Sequence, residues 1–181
     1  MATQILEKID SLFGERQTTV AKDLKLNIRR LLEDSSLSQV ESTLAVIALA
    51  KATDFPELLG AAREAAVAQE QTSEVIQEAE ENAAIMAMLN VYYRFRHFIE
   101  HNDPAAKDEY GAAKLRMTSL GNPHMGKEKF EMLAFAVSCI NGCEMCVSSH
   151  EKALIALGVG RDKLHDLGRL AAVVFGLKRL L

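Results

Sequence analysis

Apolar residues recur at spacings of three and four along almost the whole chain, which is the spacing of one face of an α-helix. Only three prolines and ten glycines interrupt the 181 residues. The pattern therefore predicts an all-α protein. The first two apolar stripes consist of Ile5, Leu6, Ile9, Leu12 and Phe13, and of Val20, Leu24, Ile28, Leu31 and Leu32.

The pattern also indicates where individual helices lie. Residues 40–52 are apolar on most faces, which predicts a buried helix. Asp54 and Pro56 follow in the order expected of a capping residue and a first-turn proline. A long helix is predicted from residue 73 to about residue 101, and Asp103-Pro104 should open another. The last three helices are predicted at residues 127–140, 143–157 and 161–180, with breaks at Asn141-Gly142 and Gly158-Val159-Gly160.

A weak internal repeat relates two parts of the chain. Sliding the sequence by 88 positions lays residues 44–67 over residues 132–155. This match predicts two pseudo-repeated helical halves, although two unrelated helical hairpins would share the same pattern. A chain with 49% hydrophobic residues can bury a core, and we expect one helical domain over residues 1–181.

Charge and hydropathy exclude several classes of partner. The net charge of −4 gives no positive field for a polyanion, so we expect no nucleic acid. No window approaches the ~18 consecutive apolar residues of a membrane span, and Glu7, Lys8 and Asp10 interrupt the only N-terminal apolar stretch. We therefore expect a cytoplasmic protein. In that compartment a Cys-x-x-Cys pair is redox-active or metal-binding more often than structural.

All three cysteines lie within the segment CINGCEMC, and the chain has no other. Cys139 falls on an apolar helix face, where a free cysteine packs as a small hydrophobe. Cys143 should begin a helix and Cys146 should lie one turn into it. There the helix dipole favours a thiolate, and both sulfurs share one face within reach of a disulfide.

Two further residues could supply proton transfer. His150 lies four residues after Cys146 on the same helical face, so its imidazole could take the proton of that thiol. Glu131 lies on the preceding helix and could orient His150 if the two helices fold back around Asn141-Gly142. These residues predict a redox dithiol with an adjacent base.

The same residues permit two other interpretations. Cys143, Cys146, His97 and His101 could together bind zinc in a helical interaction module, because His97 and His101 are spaced i,i+4. The chain could also be a decarboxylase-like relative in which the dithiol is incidental. No flavin, haem or nucleotide motif is recognisable, so we expect no bound cofactor or metal and reducing equivalents from outside.

The order Glu131, then Cys143-x-x-Cys146, then His150 in an all-α chain resembles the alkylhydroperoxidase D (AhpD) family. The resemblance implies an AhpD-like helical bundle with antioxidant thiol peroxidase activity on organic hydroperoxides. It also implies reduction of the peroxiredoxin AhpC, electrons from a lipoyl dithiol such as dihydrolipoamide on a lipoyl-bearing protein, and a homotrimer.

The resemblance assigns a role to each matching residue. Cys146 would attack the peroxide and pass through a sulfenic acid. Cys143 would be the proton donor and resolving cysteine, forming the redox-active disulfide with Cys146 and a mixed disulfide with AhpC. Glu131 and His150 would form the proton relay. The family relay also uses a histidine just before the second cysteine, where this chain has Met145, so the relay here must run without that imidazole.

Overall fold

The computed structural model describes residues 3–181, and within them it contains α-helices and one 3₁₀ turn but no strand. The all-α prediction is confirmed. The helices are α1 (Thr3–Phe13), α2 (Thr19–Glu33), α3 (Gln39–Ala52), α4 (Pro56–Ala68), α5 (Ser73–Asn102), α6 (Ala106–Tyr110), α7 (Lys127–Asn141), α8 (Glu144–Ala156) and α9 (Arg161–Leu180), with the 3₁₀ turn at Thr118–Leu120.

Helices α3 and α7 form the centre of the molecule and pack against each other. Residues 41–50 of α3 and 130–138 of α7 are continuously buried. Both helices also contact α5 and α9, while α4 covers α3 and α8 covers α7. Because both central helices are enclosed on several sides, their sequences are apolar on most faces, as predicted for residues 40–52.

The two central hairpins and the helices that follow them have matching positions in the sequence. The starts of α3, α4 and α5 precede those of α7, α8 and α9 by a constant offset, since 127 − 39, 144 − 56 and 161 − 73 all equal 88. Left-handed backbone conformations recur at the same offset, at Asp54 and Gly142 and at Glu70 and Gly158. A duplication as the origin of this correspondence, and a single domain over residues 1–181, stay predictions.

Two buried or half-buried carboxylates connect the halves. Glu78 of α5 accepts hydrogen bonds from the backbone N–H groups of His124 and Met125, at 2.9 and 2.8 Å. Asp166 of α9 accepts from the N–H and hydroxyl of Ser36, at 2.8 and 2.7 Å. Each carboxylate thus accepts hydrogen bonds from donors in the segment that leads into the central helix of the other half.

Two helix starts differ from the prediction. Asp54 does not cap α4: the N-cap residue is Phe55, without a side-chain hydrogen bond, and Asp54 lies in the preceding turn at φ +54°. Pro56 does occupy the first turn. Asp103-Pro104 leads only to the single short helix α6, where Asp103 accepts from the N–H of Ala105 at 3.2 Å.

The second apolar stripe is also displaced. Val20 is 62% exposed, and Ala21 takes the buried position beside Ile28, Leu31 and Leu32. The helix begins at Thr19, capped by the hydroxyl of Thr18, so Val20 lies on the solvent side of the first turn. No helix in the described part of the chain is both long and apolar enough to cross a membrane.

Candidate active site

The turn between α7 and α8 positions the two cysteines. Gly142 adopts φ +64°, a conformation that glycine tolerates best. The N–H of Gly142 donates to the carbonyl of Cys139, and that of Cys143 to the carbonyl of Ser138, both at 3.2 Å, the hydrogen bonds of a Schellman motif. Cys143 is then the N-cap of α8 and Cys146 lies one turn in, as predicted.

Helix α5 holds this turn from the side. The side-chain oxygen Oδ1 of Asn90 accepts a hydrogen bond from the side-chain amide of Asn141 at 2.9 Å. The side-chain nitrogen Nδ2 of Asn90 donates to the hydroxyl of Ser138, also at 2.9 Å. The guanidinium of Arg94 donates to the backbone carbonyl of Asn141. Asn90 is only 1% exposed, so these hydrogen bonds fix the α7–α8 turn against α5 in a dry environment.

Cys143 and Cys146 form a disulfide, with Cα atoms 5.3 Å apart. Cys143 is 1% exposed and Cys146 is 6% exposed. The bond lies at the N-terminal end of α8, where unsatisfied N–H groups and the helix dipole favour a thiolate once the bond is reduced. Of the two sulfur-bearing residues, Cys146 is the one that lines the adjoining cavity.

Helices α7 and α8 fold back on each other, and this brings Glu131 into contact with His150, as expected. Oε2 of Glu131 lies 2.6 Å from Nδ1 of His150, and both side chains are largely buried. Burial alone would raise the pKa of Glu131, but the hydrogen bonds and charges of His150 and Lys127 outweigh it and lower that pKa. Glu131 is therefore a carboxylate that can accept the Nδ1–H of His150, and the Nε2 atom on the other side of the ring can then take part in proton transfer.

Lys127 is part of this cluster and was not predicted from the sequence. Its ammonium lies 2.8 Å from Oε1 of Glu131 and donates to the carbonyl of Leu120 at 2.9 Å. The i,i+4 spacing of Lys127 and Glu131 on α7 is the signal that could have identified it. Asn90 and Arg94 carried no such signal, because their partner Asn141 lies 51 and 47 residues away in the sequence.

A cavity of about 380 Å³ adjoins these groups. It lies between α5, α7, α8 and residues 117–120, and its walls are mostly apolar with a few polar groups, as in sites for small organic molecules. The residues that line it are Leu89, Asn90, Tyr93, Met117, Leu120, Glu131, Met145, Cys146, Ser149, His150 and Ala153.

The zinc ligands of the alternative interpretation are not assembled. The rings of His97 and His101 lie 6.1 Å apart, and Nε2 of His97 lies 3.9 Å from Oε2 of Glu144. Within residues 3–181 no three or more His, Cys, Asp or Glu side chains are grouped in a way that could hold a metal ion. Instead Cys143 and Cys146 are bonded to each other.

Cys139 lies apart from the cavity. Its thiol is free and half-buried, in a groove formed with α9 residues such as Gly168 and Phe175. Burial raises the pKa of this thiol, which makes it a poor nucleophile near neutral pH. This agrees with its prediction as a packing residue.

Comparison with known proteins identifies the family. The model for the "Carboxymuconolactone decarboxylase family" matches residues 110–181, which include Glu131, both bonded cysteines and His150. "Alkyl hydroperoxide reductase AhpD" from Anaeromyxobacter dehalogenans (strain 2CP-1) is 42% identical over 85% of this chain and 80% of its own. Proteins of the same name from Rhodopseudomonas palustris (strain BisB18) and Streptomyces coelicolor are each 41% identical, over 92% and 85% of this chain and 88% and 84% of their own. Because this similarity extends over most of both chains, the protein belongs to the AhpD family of alkyl hydroperoxide reductases.

Proposed function

We propose that this protein is a thiol-dependent peroxidase that reduces organic hydroperoxides. The observation that carries the proposal is the Cys143–Cys146 disulfide, whose Cys146 shares a cavity with the hydrogen-bonded pair Glu131 and His150. A reversible dithiol, a base and an apolar cavity are the three parts that this chemistry needs. The names of the relatives point to the same class of reaction.

The first step is deprotonation of the reduced Cys146. His150 follows it by one helical turn on α8, and both residues face the same cavity. Glu131 binds Nδ1, so Nε2 of His150 takes the thiol proton, directly or through one water, and Glu131 stabilises the imidazolium. The N-terminal end of α8 stabilises the resulting thiolate.

The thiolate then attacks the terminal oxygen of the hydroperoxide. A sulfur–oxygen bond forms, the oxygen–oxygen bond breaks, and the leaving alkoxide takes the proton from the His150 imidazolium to become an alcohol. Sulfur is oxidised by two electrons and the peroxide is reduced by two. Cys146 is left as a sulfenic acid. The relay uses no imidazole at position 145, where Met145 lines the cavity instead.

Cys143 resolves the sulfenic acid. Its sulfur attacks the Cys146 sulfur, water leaves, and the disulfide forms. An external dithiol, for which we propose a lipoyl group, then returns two electrons by thiol–disulfide exchange. Because Cys143 is only 1% exposed in the disulfide form, a mixed disulfide between Cys143 and AhpC requires movement of the first turn of α8.

We extend the proposal to a cytoplasmic homotrimer, as the resemblance implies. Helix α5 carries four exposed apolar side chains at helical spacing, Met88, Val91, Phe95 and Phe98, and Tyr110 packs edge-on against Phe95. An exposed apolar stripe of this kind is the surface that we expect an oligomer to bury.

The test starts from reduced protein and one equivalent of cumene hydroperoxide. We expect a loss of two hydrogens that maps to a Cys143–Cys146 bond and is reversed by dihydrolipoamide. Cys146→Ser should abolish peroxide consumption, whereas Cys143→Ser should leave a sulfenic acid that dimedone traps. Cys139→Ser is the matched control and should react like the unmodified protein. A reduced protein that leaves the hydroperoxide intact would disprove the proposal.

A further inference from the structure

The cavity that contains Cys146 also contains two thioethers, those of Met117 and Met145. Met145 directly precedes Cys146 and is 39% exposed, at the edge of the cavity, where it also borders a shallow groove with Glu144 and Lys152. Met117, on the segment that precedes α7, also lines the cavity and is partly buried. The thioether sulfur is a two-electron nucleophile that hydroperoxides convert into a sulfoxide.

In the disulfide form the thioethers are the nucleophilic sulfurs of this cavity. Cys146 is bonded to Cys143 and has no thiolate, and Cys139 lies in a different groove. A hydroperoxide that enters before the disulfide has been reduced therefore meets Met145 and Met117 but no thiolate. We propose that Met145 is an oxidation site at which a hydroperoxide held in the cavity forms methionine sulfoxide when the dithiol is in its disulfide form.

The reaction balances without a further reagent. The Met145 sulfur attacks the terminal oxygen of the hydroperoxide, a sulfur–oxygen bond forms and the oxygen–oxygen bond breaks. The departing alkoxide takes the hydroxyl proton of the same peroxide and leaves as an alcohol. Sulfur is oxidised by two electrons and the peroxide is reduced by two. The product is a polar sulfoxide beside Cys146, which makes this apolar cavity less favourable for an alkyl chain until a methionine sulfoxide reductase restores the thioether.

This inference rests on the proposed function, because that function places the hydroperoxide in the cavity. Met88 provides an internal control. Its exposed fraction, 37%, is close to the 39% of Met145, but it lines a separate cavity with Glu78 and Glu81. The other methionines within residues 3–181, apart from Met117, are buried: Met86, Met125 and Met132. In the single chain, exposure alone therefore predicts equal oxidation of Met145 and Met88, and oxidation by hydrogen peroxide measures any difference in accessibility that an oligomer adds.

The experiment uses full-length protein converted to the disulfide form with diamide, with the diamide then removed. Cumene hydroperoxide is added without reductant, and sulfoxide at each methionine is followed by peptide mass spectrometry with fragment sequencing. We expect Met145 to oxidise at least about fivefold faster than Met88, because binding holds the peroxide at a high local concentration. Hydrogen peroxide has no apolar group to bind, so its ratio of Met145 to Met88 oxidation reports accessibility alone, and the ratio with cumene hydroperoxide should be at least about fivefold higher.

A competition experiment identifies the cavity as the cause. Cumyl alcohol has the shape of cumene hydroperoxide but no peroxide bond, so an excess should slow oxidation of Met145 and leave Met88 unchanged. A ratio near one with cumene hydroperoxide would overturn the inference, and so would an equally high ratio with hydrogen peroxide. The proposed function is tested separately by disulfide formation in the reduced protein, so failure of one is distinguishable from failure of the other.

Discussion

The ammonium of Lys127 lies 2.8 Å from Oε1 of Glu131, the carboxylate oxygen that His150 does not use. The one buried carboxylate of Glu131 thus binds an ammonium and an imidazole at the same time. Both partners lower the pKa of Glu131, so the group that holds Nδ1 of His150 is an ionised carboxylate. The hydrogen bond of Lys127 to the carbonyl of Leu120 also ties the cavity wall to this cluster.

Replacing Lys127 should shift the pH dependence of hydroperoxide reduction. In Lys127→Met the cation that helps to lower the pKa of Glu131 is lost, so this carboxyl is protonated at higher pH and no longer orients His150 there. We therefore expect the acid limb of kcat/KM for cumene hydroperoxide to move upward in pH. The other titratable side chains of the cavity, Tyr93, Cys146 and His150, are unchanged in this variant. Lys129→Met on the same helix is the control, and an identical shift there would contradict the role of Lys127.

Glu131→Gln should weaken peroxidase activity more than it weakens the fold. The amide keeps the size of the side chain but removes the charge that orients His150 and stabilises its protonated form. We expect kcat/KM to fall by about 100-fold, the scale of general acid–base contributions. Oxidation of the dithiol by diamide, which depends less on the relay, should remain. Glu128→Gln changes an exposed glutamate of the same helix and should retain nearly full activity.

The stability of the protein should decrease in acid. Burial would raise the pKa values of Glu41, Glu131 and Asp166, but their hydrogen bonds and neighbouring cations outweigh it, so all three pKa values are lowered. A carboxyl whose pKa is lower in the folded state contributes stability above its unfolded pKa, near 4.3 for glutamate and 3.9 for aspartate, and loses it as pH falls through the folded pKa. Urea unfolding should therefore show a roughly constant free energy from pH 7 to about pH 5.5 and a decline below about pH 5.

Glu41 should account for part of that decline. It accepts from the N–H of Ser38 and from the ammonium of Lys163, both at 2.6 Å, and so joins the start of α3 to α9. Glu41→Gln should cost about 1 kcal/mol of unfolding free energy at pH 7 and make the acid dependence shallower. Glu57→Gln alters an exposed glutamate in the first turn of α4. If both variants retained the same acid dependence, the assignment to Glu41 would be incorrect.

Gly142 and Gly60 should respond oppositely to alanine. A Cβ atom at either position meets no atom within 4 Å apart from the adjoining residues and, at Gly60, the backbone of its own helix, but only Gly142 has a positive φ, at +64°. Gly142→Ala should therefore destabilise the protein by about 1–2 kcal/mol and slow dithiol oxidation by displacing Cys143. Gly60→Ala, inside α4, should be neutral or stabilising by up to about 1 kcal/mol. Chemical unfolding with thiol counting tests both, and equal stability of the two variants would argue against backbone strain at Gly142.

Local features of this protein were predictable from its sequence, and long-range contacts mostly were not. Apolar spacing and glycine breaks placed α7, α8 and α9 within one residue at each end, because they reflect interactions between near neighbours. The contact of Glu131 with His150 was an expectation that depended on how α7 and α8 fold back, and it is present. The hydrogen bonds of Asn90 and Arg94 with Asn141 were not predicted from the sequence, because they depend on where α5 crosses the α7–α8 turn.

The errors at Asp54 and Val20 have a related cause. Asp54 fits the composition of a cap, yet it occupies the left-handed turn position that Gly142 occupies in the other half. Val20 fits an apolar stripe, yet the direction in which α2 packs turns Ala21 inward. The local sequence pattern shows which residues could cap a helix or face the core. Tertiary packing decides which of them does so.

The offset of 88 residues has a consequence for stoichiometry. It aligns Cys143 with Phe55, Cys146 with Leu58 and Glu131 with Thr43. In the first half those positions carry packing residues without redox chemistry. Phe55 is fully buried with the ammonium of Lys178 over its ring, and the hydroxyl of Thr43 accepts a hydrogen bond from the Gln69 side-chain amide at 2.9 Å. Of the two matching frameworks only the second thus carries a dithiol, and oxidation of that dithiol should consume one hydroperoxide equivalent per chain.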